Sequence, residues 1–174
     1  MNTATEQPKN IVTTEAEDAA AVDLLTKSLE AVLFEGKPMW EVCGWNAEQI
    51  EGLYTTGFHL YQSGAYDEAM NIFRPLALLD SGEARNWIAL GGCHQMKKEY
   101  EQALEYYGNA AIIDPSNPRP IFNALECNIA LKKYPEAKSS AEYLIAIASD
   151  KPEHASLVVR AKVLLGAIES KVSK

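Results

Sequence analysis

Apolar side chains recur at helical spacing along most of this chain. Ala19, Val22, Leu25, Leu29, Val32 and Leu33 form one stripe between about Glu15 and Phe34, which predicts an amphipathic first helix. Gly36-Lys37-Pro38 breaks it, and Met39 to Trp45 reads as a short apolar connector whose two tryptophans, Trp40 and Trp45, need somewhere to bury. Asn46 is placed to cap the next helix. From Asn46 to Ser149, helical apolar stretches alternate with short polar turns. Lys151-Pro152 then introduces a last helix carrying Leu157, Val158, Ala161, Leu164, Leu165 and Ile168 at helical spacing. The pattern predicts an all-α chain. Its first 14 residues are polar, include Glu6 and hold no apolar run, so a disordered tail is expected there, with neither a signal peptide nor a membrane helix.

The helical stretches are not independent. Tyr66, Tyr100 and Tyr134 stand 34 residues apart, and each is followed three residues later by an alanine, Ala69, Ala103 and Ala137. A period of 34 is the length of a tetratricopeptide repeat, a helix–turn–helix unit that cannot bury its apolar face alone and therefore stacks on its neighbours. The middle copy carries the pattern best: Trp87, Leu90 and Gly91 on its first helix, Tyr100, Ala103, Tyr107 and Ala110 on its second, then Pro115, with His94 in place of the usual tyrosine. The first copy keeps Leu53, Gly57, Tyr66, Ala69 and Phe73; the third keeps Ile121, Ala124, Tyr134, Ala137 and Leu144. Small residues such as Gly57 and Gly91 let helices approach, and Phe73, Trp87 and Tyr107 fill the space between them. Gly64 suits a left-handed helix end, Lys97-Lys98 and Lys132-Lys133 occupy the matching turns, and Asp114 to Pro118 is a helix stop.

The expected architecture is a tetratricopeptide-repeat helical solenoid: three repeats over residues 46–149 (46–83, 84–117 and 118–149), preceded by the helix and connector at 15–45 and closed by a capping helix at 150–174. The first helix either caps the stack or carries Val22, Leu25, Leu29, Val32 and Leu33 into a second copy as a homodimer, and periodicity fits both.

Composition narrows the partners. With 174 residues, 47% hydrophobic and 23% charged, the chain has the make-up of a globular domain. A net charge of −8 with no basic stripe argues against nucleic acid and against a membrane surface. Three cysteines make an odd count without a paired framework, which suits a reducing cytoplasm; Cys93 and Cys127, again 34 apart, read as small buried residues. No catalytic residue, metal site or cofactor is expected. His59, His94 and His154 lack ligand spacing, Gly91-Gly92 lies inside a helical pattern rather than after a strand, and acids such as Asp67-Glu68 fall in first helical turns.

A repeat stack binds on the face built from the first helix of each repeat. One face offset from the packing residues holds Tyr54, Phe58 and Tyr61 in the first repeat, then Arg85, Ile88, Gly92 and Gln95 in the second. Arg119, Phe122, Glu126 and Ile129 continue it in the third. An aromatic stripe at i, i+4, i+7 is often core, but Leu53, Gly57 and Leu60 already supply the packing face of that helix. An aromatic and aliphatic groove, rather than one of Lys and Asn, favours an extended apolar peptide over a terminal carboxylate.

The run Leu53-Tyr54-Thr55-Thr56-Gly57-Phe58-His59-Leu60-Tyr61-Gln62-Ser63-Gly64-Ala65-Tyr66-Asp67-Glu68-Ala69, extended by Phe73-Arg74, Leu76, Asp80, Arg119-Pro120-Ile121-Phe122 and Glu126-Cys127, resembles the translocator (class II) chaperones of bacterial type III secretion. The resemblance covers most of the chain. It implies a cytoplasmic, non-enzymatic chaperone for hydrophobic, pore-forming translocators, binding a P-x-L-x-x-P-like segment in its groove, with Tyr54, Phe58 and Tyr61 as groove aromatics. It also implies homodimers formed through the N-terminal region and, in some members, assistance to transcriptional regulators. A general repeat scaffold or regulatory adaptor binding another peptide is the alternative. Pro75 departs from the family pattern in the second helix of repeat one, where a proline removes a backbone donor and leaves a kinked and a straight helix both open.

Overall fold

The structure, a computed structural model, describes residues 15–172. The tail expected over residues 1–14 lies outside the described residues. The chain divides into two units at Lys37 and Pro38. The first holds helix α1 (Glu15–Leu33), which Gly36 follows with a φ of 68°. Val22, Leu25, Leu29 and Leu33 are exposed on α1 at 48–69%, Val32 is half-buried, and Leu24 and Phe34 add further exposed apolar surface.

The second unit is helical throughout its described residues. A short helix α2 (Met39–Val42) leads into three helix pairs: α3 (Ala47–Gln62) with α4 (Tyr66–Leu79), α5 (Ala84–Met96) with α6 (Tyr100–Ile113), and α7 (Pro118–Ala130) with α8 (Tyr134–Ala148). A 3-10 turn at Pro152–His154 precedes α9 (Ala155–Val172). From α3 onward each helix packs on the next, and α2 packs on α4; α3, α5, α7 and α9 also touch in series, and the result is a tetratricopeptide-repeat solenoid closed by α9. Among the described residues no helix is long and apolar enough to cross a membrane.

Local chemistry sets the helix ends. Asn46 Oδ1 accepts from the Gln49 amide and Gln49 Oε1 accepts from the Asn46 amide, both at 2.9 Å, a reciprocal cap at the start of α3. The three intra-repeat turns are the same object. Gly64, Lys98 and Lys132 all have positive φ, and the next amides, of Ala65, Glu99 and Lys133, each donate five residues back at 2.9 Å. Only the first turn uses glycine for a left-handed residue; the lysines hold that conformation because the two flanking helices are fixed by packing. Pro75 sits on the exposed side of α4 and does not end it. Trp40 packs against the first-repeat core, with Nε1 donating to Asp80 Oδ2 at 3.0 Å, while Trp45 remains 40% exposed.

Within a pair, a small residue on the first helix receives a ring from the second. A Cβ on Gly57 would lie 2.9 Å from the Phe73 ring, and one on Gly91 would lie 2.6 Å from the Tyr107 ring. Both rings are essentially buried. The third repeat reverses the sizes. The corresponding positions are Leu125 on α7 and Ala141 on α8, both fully buried in one cluster with Ile121, Leu144, Val158, Ala161 and Ile168. His94 is also buried. Its Nδ1 lies 2.7 Å from Glu99 Oε2 and its ring stacks on Tyr106 at 5.1 Å between centroids.

The Gly91 contact gives a paired test. Gly91→Ala forces the buried Tyr107 ring to shift and is expected to destabilise by about 1–3 kcal/mol. Gly108→Ala, on the same repeat with open space around its Cβ position, is expected to stabilise by roughly 0.5–1 kcal/mol through helix propensity. Urea unfolding of both variants against the parent chain measures the two effects.

Candidate functional site

Three first helices converge on one cavity of about 370 Å³. α3 contributes Tyr54, Phe58 and Tyr61; α5 contributes Ile88, Ala89, Gly92, Gln95 and Met96; α7 contributes Arg119, Asn123 and Glu126. The second helices supply the floor, Phe73 from α4 and Tyr107 from α6. Residues at i, i+4 and i+7 share a helix face, so each helix presents its stripe to the same space. Phe58 is 41% exposed and stacks on Tyr61 at 6.4 Å, while Tyr61 meets Tyr66 edge-on at 5.6 Å and Tyr54 tilts onto Phe73 at 5.5 Å. Gly92 faces the Tyr61 ring, which a Cβ there would touch at 3.4 Å, so glycine keeps this wall low.

The polar end is ordered by a chain of hydrogen bonds. Tyr107 donates to Gln95 Oε1 at 2.6 Å, Gln95 Nε2 donates to Glu126 Oε2 at 3.3 Å, and Arg160 Nη2 from α9 donates to Glu126 Oε1 at 3.0 Å. At the other end Arg85 donates to Glu51 at 2.5 Å and lies 4.3 Å over the Tyr54 ring. Burial raises the hydroxyl pKa of Tyr54, Tyr61 and Tyr107 above the ordinary phenol value, with Arg85 drawing Tyr54 partly back. All three phenols therefore stay neutral and able to donate hydrogen bonds near neutral pH. The surface is apolar and aromatic with fixed polar points, the make-up of a binding cavity.

The structure brings most of the sequence-predicted groove residues together. Tyr54, Phe58, Tyr61, Ile88, Gly92, Gln95, Arg119 and Glu126 line the one cavity. Ile129 lines a neighbouring space of about 450 Å³ with Met96, Tyr100 and Leu164, and Arg85 reaches the groove through its stacking on Tyr54. Phe122 belongs both to the core and to the edge of the groove. Expected as a groove residue, it is 2% exposed and belongs to the third-repeat core, with Arg160 lying 4.3 Å over its ring. It also borders a space of about 260 Å³ that adjoins the main cavity and shares Ile88, Arg119, Asn123 and Glu126 with it. Sequence reasoning missed Phe73 and Tyr107 because both satisfy the packing pattern and the groove at once. It missed Leu157, Arg160 and Leu164 because a capping helix carries no repeat signature. Asn123 was within reach, since it sits four residues after Arg119 and three before Glu126.

No group of three or more His, Cys, Asp or Glu side chains that could hold a metal occurs among the described residues. Burial pushes the Cys93 thiol up to about 11 and the Cys127 thiol up to about 12.

Two tetratricopeptide-repeat family models match the chain, at residues 84–117 and 50–81. Low calcium response locus protein H of Yersinia pseudotuberculosis is 35% identical over 126 residues, 72% of this chain and 75% of that protein. PcrH of Pseudomonas aeruginosa, solved in complex with the chaperone-binding region of PopD, is 38% identical with a TM-score of 0.71, over 74% of this chain and 96% of that one. SycD of Yersinia enterocolitica, a type III secretion chaperone solved with a peptide of the translocator YopD, is 33% identical with a TM-score of 0.70, over 72% and 96%. SycD has also been solved as an alternative dimer, which matches with a TM-score of 0.71 at 32% identity over 74% and 98%.

The buried thiols supply a test. A pKa raised in the folded state contributes stability that is complete below the ordinary thiol value of about 8.5. That contribution is lost as pH rises through the folded values. Stability is therefore expected to decline above about pH 9. At pH 8, a disulfide reagent should label exposed Cys43 alone, with Cys93 and Cys127 reacting only after denaturation. Rapid labelling of three thiols in the native protein would contradict this burial.

Proposed function

The chain belongs to the translocator (class II) chaperones of bacterial type III secretion, and we propose that its groove holds an extended apolar segment of a pore-forming translocator, of the P-x-L-x-x-P kind. One observation carries the assignment of the site: Tyr54, Phe58 and Tyr61 stand in a row over Phe73 and Tyr107, opposite Ile88 and Gly92, around one open cavity. A proline-containing segment is already extended, so it loses little conformational entropy on binding, and its rings stack on aromatic walls.

The function follows from what the client is. A segment built for a membrane aggregates in water, and covering its apolar surface keeps it soluble without folding it. The chaperone acts in the cytoplasm, before secretion, and by binding rather than by catalysis. Release is part of the task, so affinity for a single motif is moderate, with further contacts strengthening the hold on a whole client. The chaperone works as a homodimer, and the exposed apolar stripe of α1, Val22, Leu25, Leu29 and Leu33 with half-buried Val32, is the surface assigned to pairing.

Titration calorimetry with a P-x-L-x-x-P peptide is expected to give a roughly micromolar Kd, about −8 kcal/mol. Phe58→Ala, at an exposed position, should weaken it several-fold, and the Tyr54/Phe58/Tyr61→Ala variant should abolish saturable binding. Equal binding by all three proteins would place the peptide elsewhere, and a repeat scaffold for another ligand would then be the better reading. For the dimer, Leu25→Asp with Leu29→Asp is expected to halve the mass measured by light scattering while peptide affinity stays unchanged. A mass that does not change would remove α1 from the interface.

A further inference from the structure

Three arginines surround the groove, and two of them follow a rule. Arg85 donates to Glu51 at 2.5 Å and lies over Tyr54; Arg160 donates to Glu126 at 3.0 Å and lies over Phe122. In both, the acid stands 34 residues before the arginine, at the same position one repeat earlier. Each cation is thus neutralised by the neighbouring repeat and held over an aromatic ring.

Arg119 breaks the rule. The residue 34 positions before it is Arg85, a like charge already engaged by Glu51 and 3.9 Å from Glu83. The residue 34 positions after it, Glu153, makes no ion pair with it. Its backbone amide donates to Asn117 Oδ1 at 3.0 Å, but among the described residues its guanidinium meets no carboxylate and no ring. Arg119 is exposed and borders both the main cavity and the adjoining one against α9. The Tyr54 hydroxyl feels Arg85 and Arg119 together with the carboxylates of Glu51 and Glu83, and of these four charges Arg119 alone has no opposite charge in contact.

Resting on the reading of the groove as a site for an extended client segment, we propose that Arg119 selects clients bearing an acidic side chain beside their apolar anchors, the client carboxylate completing the row begun by Glu51 and Arg85. The planar guanidinium matches a carboxylate with two parallel hydrogen bonds, a geometry a backbone carbonyl cannot offer. In a chain of net charge −8, an unpaired cation at the binding surface also sets this point apart from the surrounding acidic surface.

The test uses the full chain and end-blocked synthetic peptides of the P-x-L-x-x-P form. One has glutamine at every x, and three place a single glutamate at each x in turn. One glutamate peptide is expected to bind roughly tenfold more tightly than the glutamine peptide by calorimetry, an advantage that shrinks as salt rises. Arg119→Gln should remove the difference and Arg119→Lys should retain part of it. Equal affinity of all four peptides, or a glutamate advantage that survives Arg119→Gln, overturns the inference and leaves the groove reading standing. Absence of saturable binding by every peptide overturns both.

Discussion

The fit of one ring into one gap on the facing helix is what the rest of this molecule depends on. Gly57 leaves room for Phe73 and Gly91 leaves room for Tyr107, and in each case any side chain on the glycine would collide with the ring. Helices that approach this closely exclude water and present the other side of the same ring to the space between the first helices. Phe73 and Tyr107 therefore belong to the core and to the groove at once. A conventional core with the ring on the first helix would fill the groove instead of flooring it.

The third repeat obeys the same constraint with the sizes exchanged. Leu125 on α7 and Ala141 on α8 occupy the glycine and aromatic positions, so the volume is conserved across the pair while its source moves to the other helix. This accounts for the weak repeat pattern there. It also moves the main cavity toward the first two repeats, and α9 with Arg160 and Leu157 closes the third-repeat end. The capping helix is thus part of the site's wall as well as the cover of the last core cluster.

Polar groups divide between two tasks. The Tyr107, Gln95, Glu126 and Arg160 series ties α6, α5, α7 and α9 across the groove, and the cost of bringing each polar group near the core is offset because each finds a partner. The paired arginines do the same at the edges. Surface pairs such as Lys97 with Asp67 and Lys133 with Glu101 also bridge helices, but in water such contacts contribute little.

The sequence by itself determined the helix count of the repeats, their period and the turns between them, because these depend on local spacing: alanine and tyrosine at 34-residue intervals, Gly64 at a left-handed turn, Asn46 at a cap. It also indicated that Tyr54, Phe58 and Tyr61 share a face apart from Leu53, Gly57 and Leu60, and that face lines the cavity. Tertiary structure alone decided the rest. How deeply Phe122 is buried depended on α9, whose Arg160 covers it from 38 positions along the chain. Whether an arginine was neutralised depended on which residue one repeat away faced it. Helical periodicity reports the face on which a side chain lies, and only the neighbouring helices determine what that face meets.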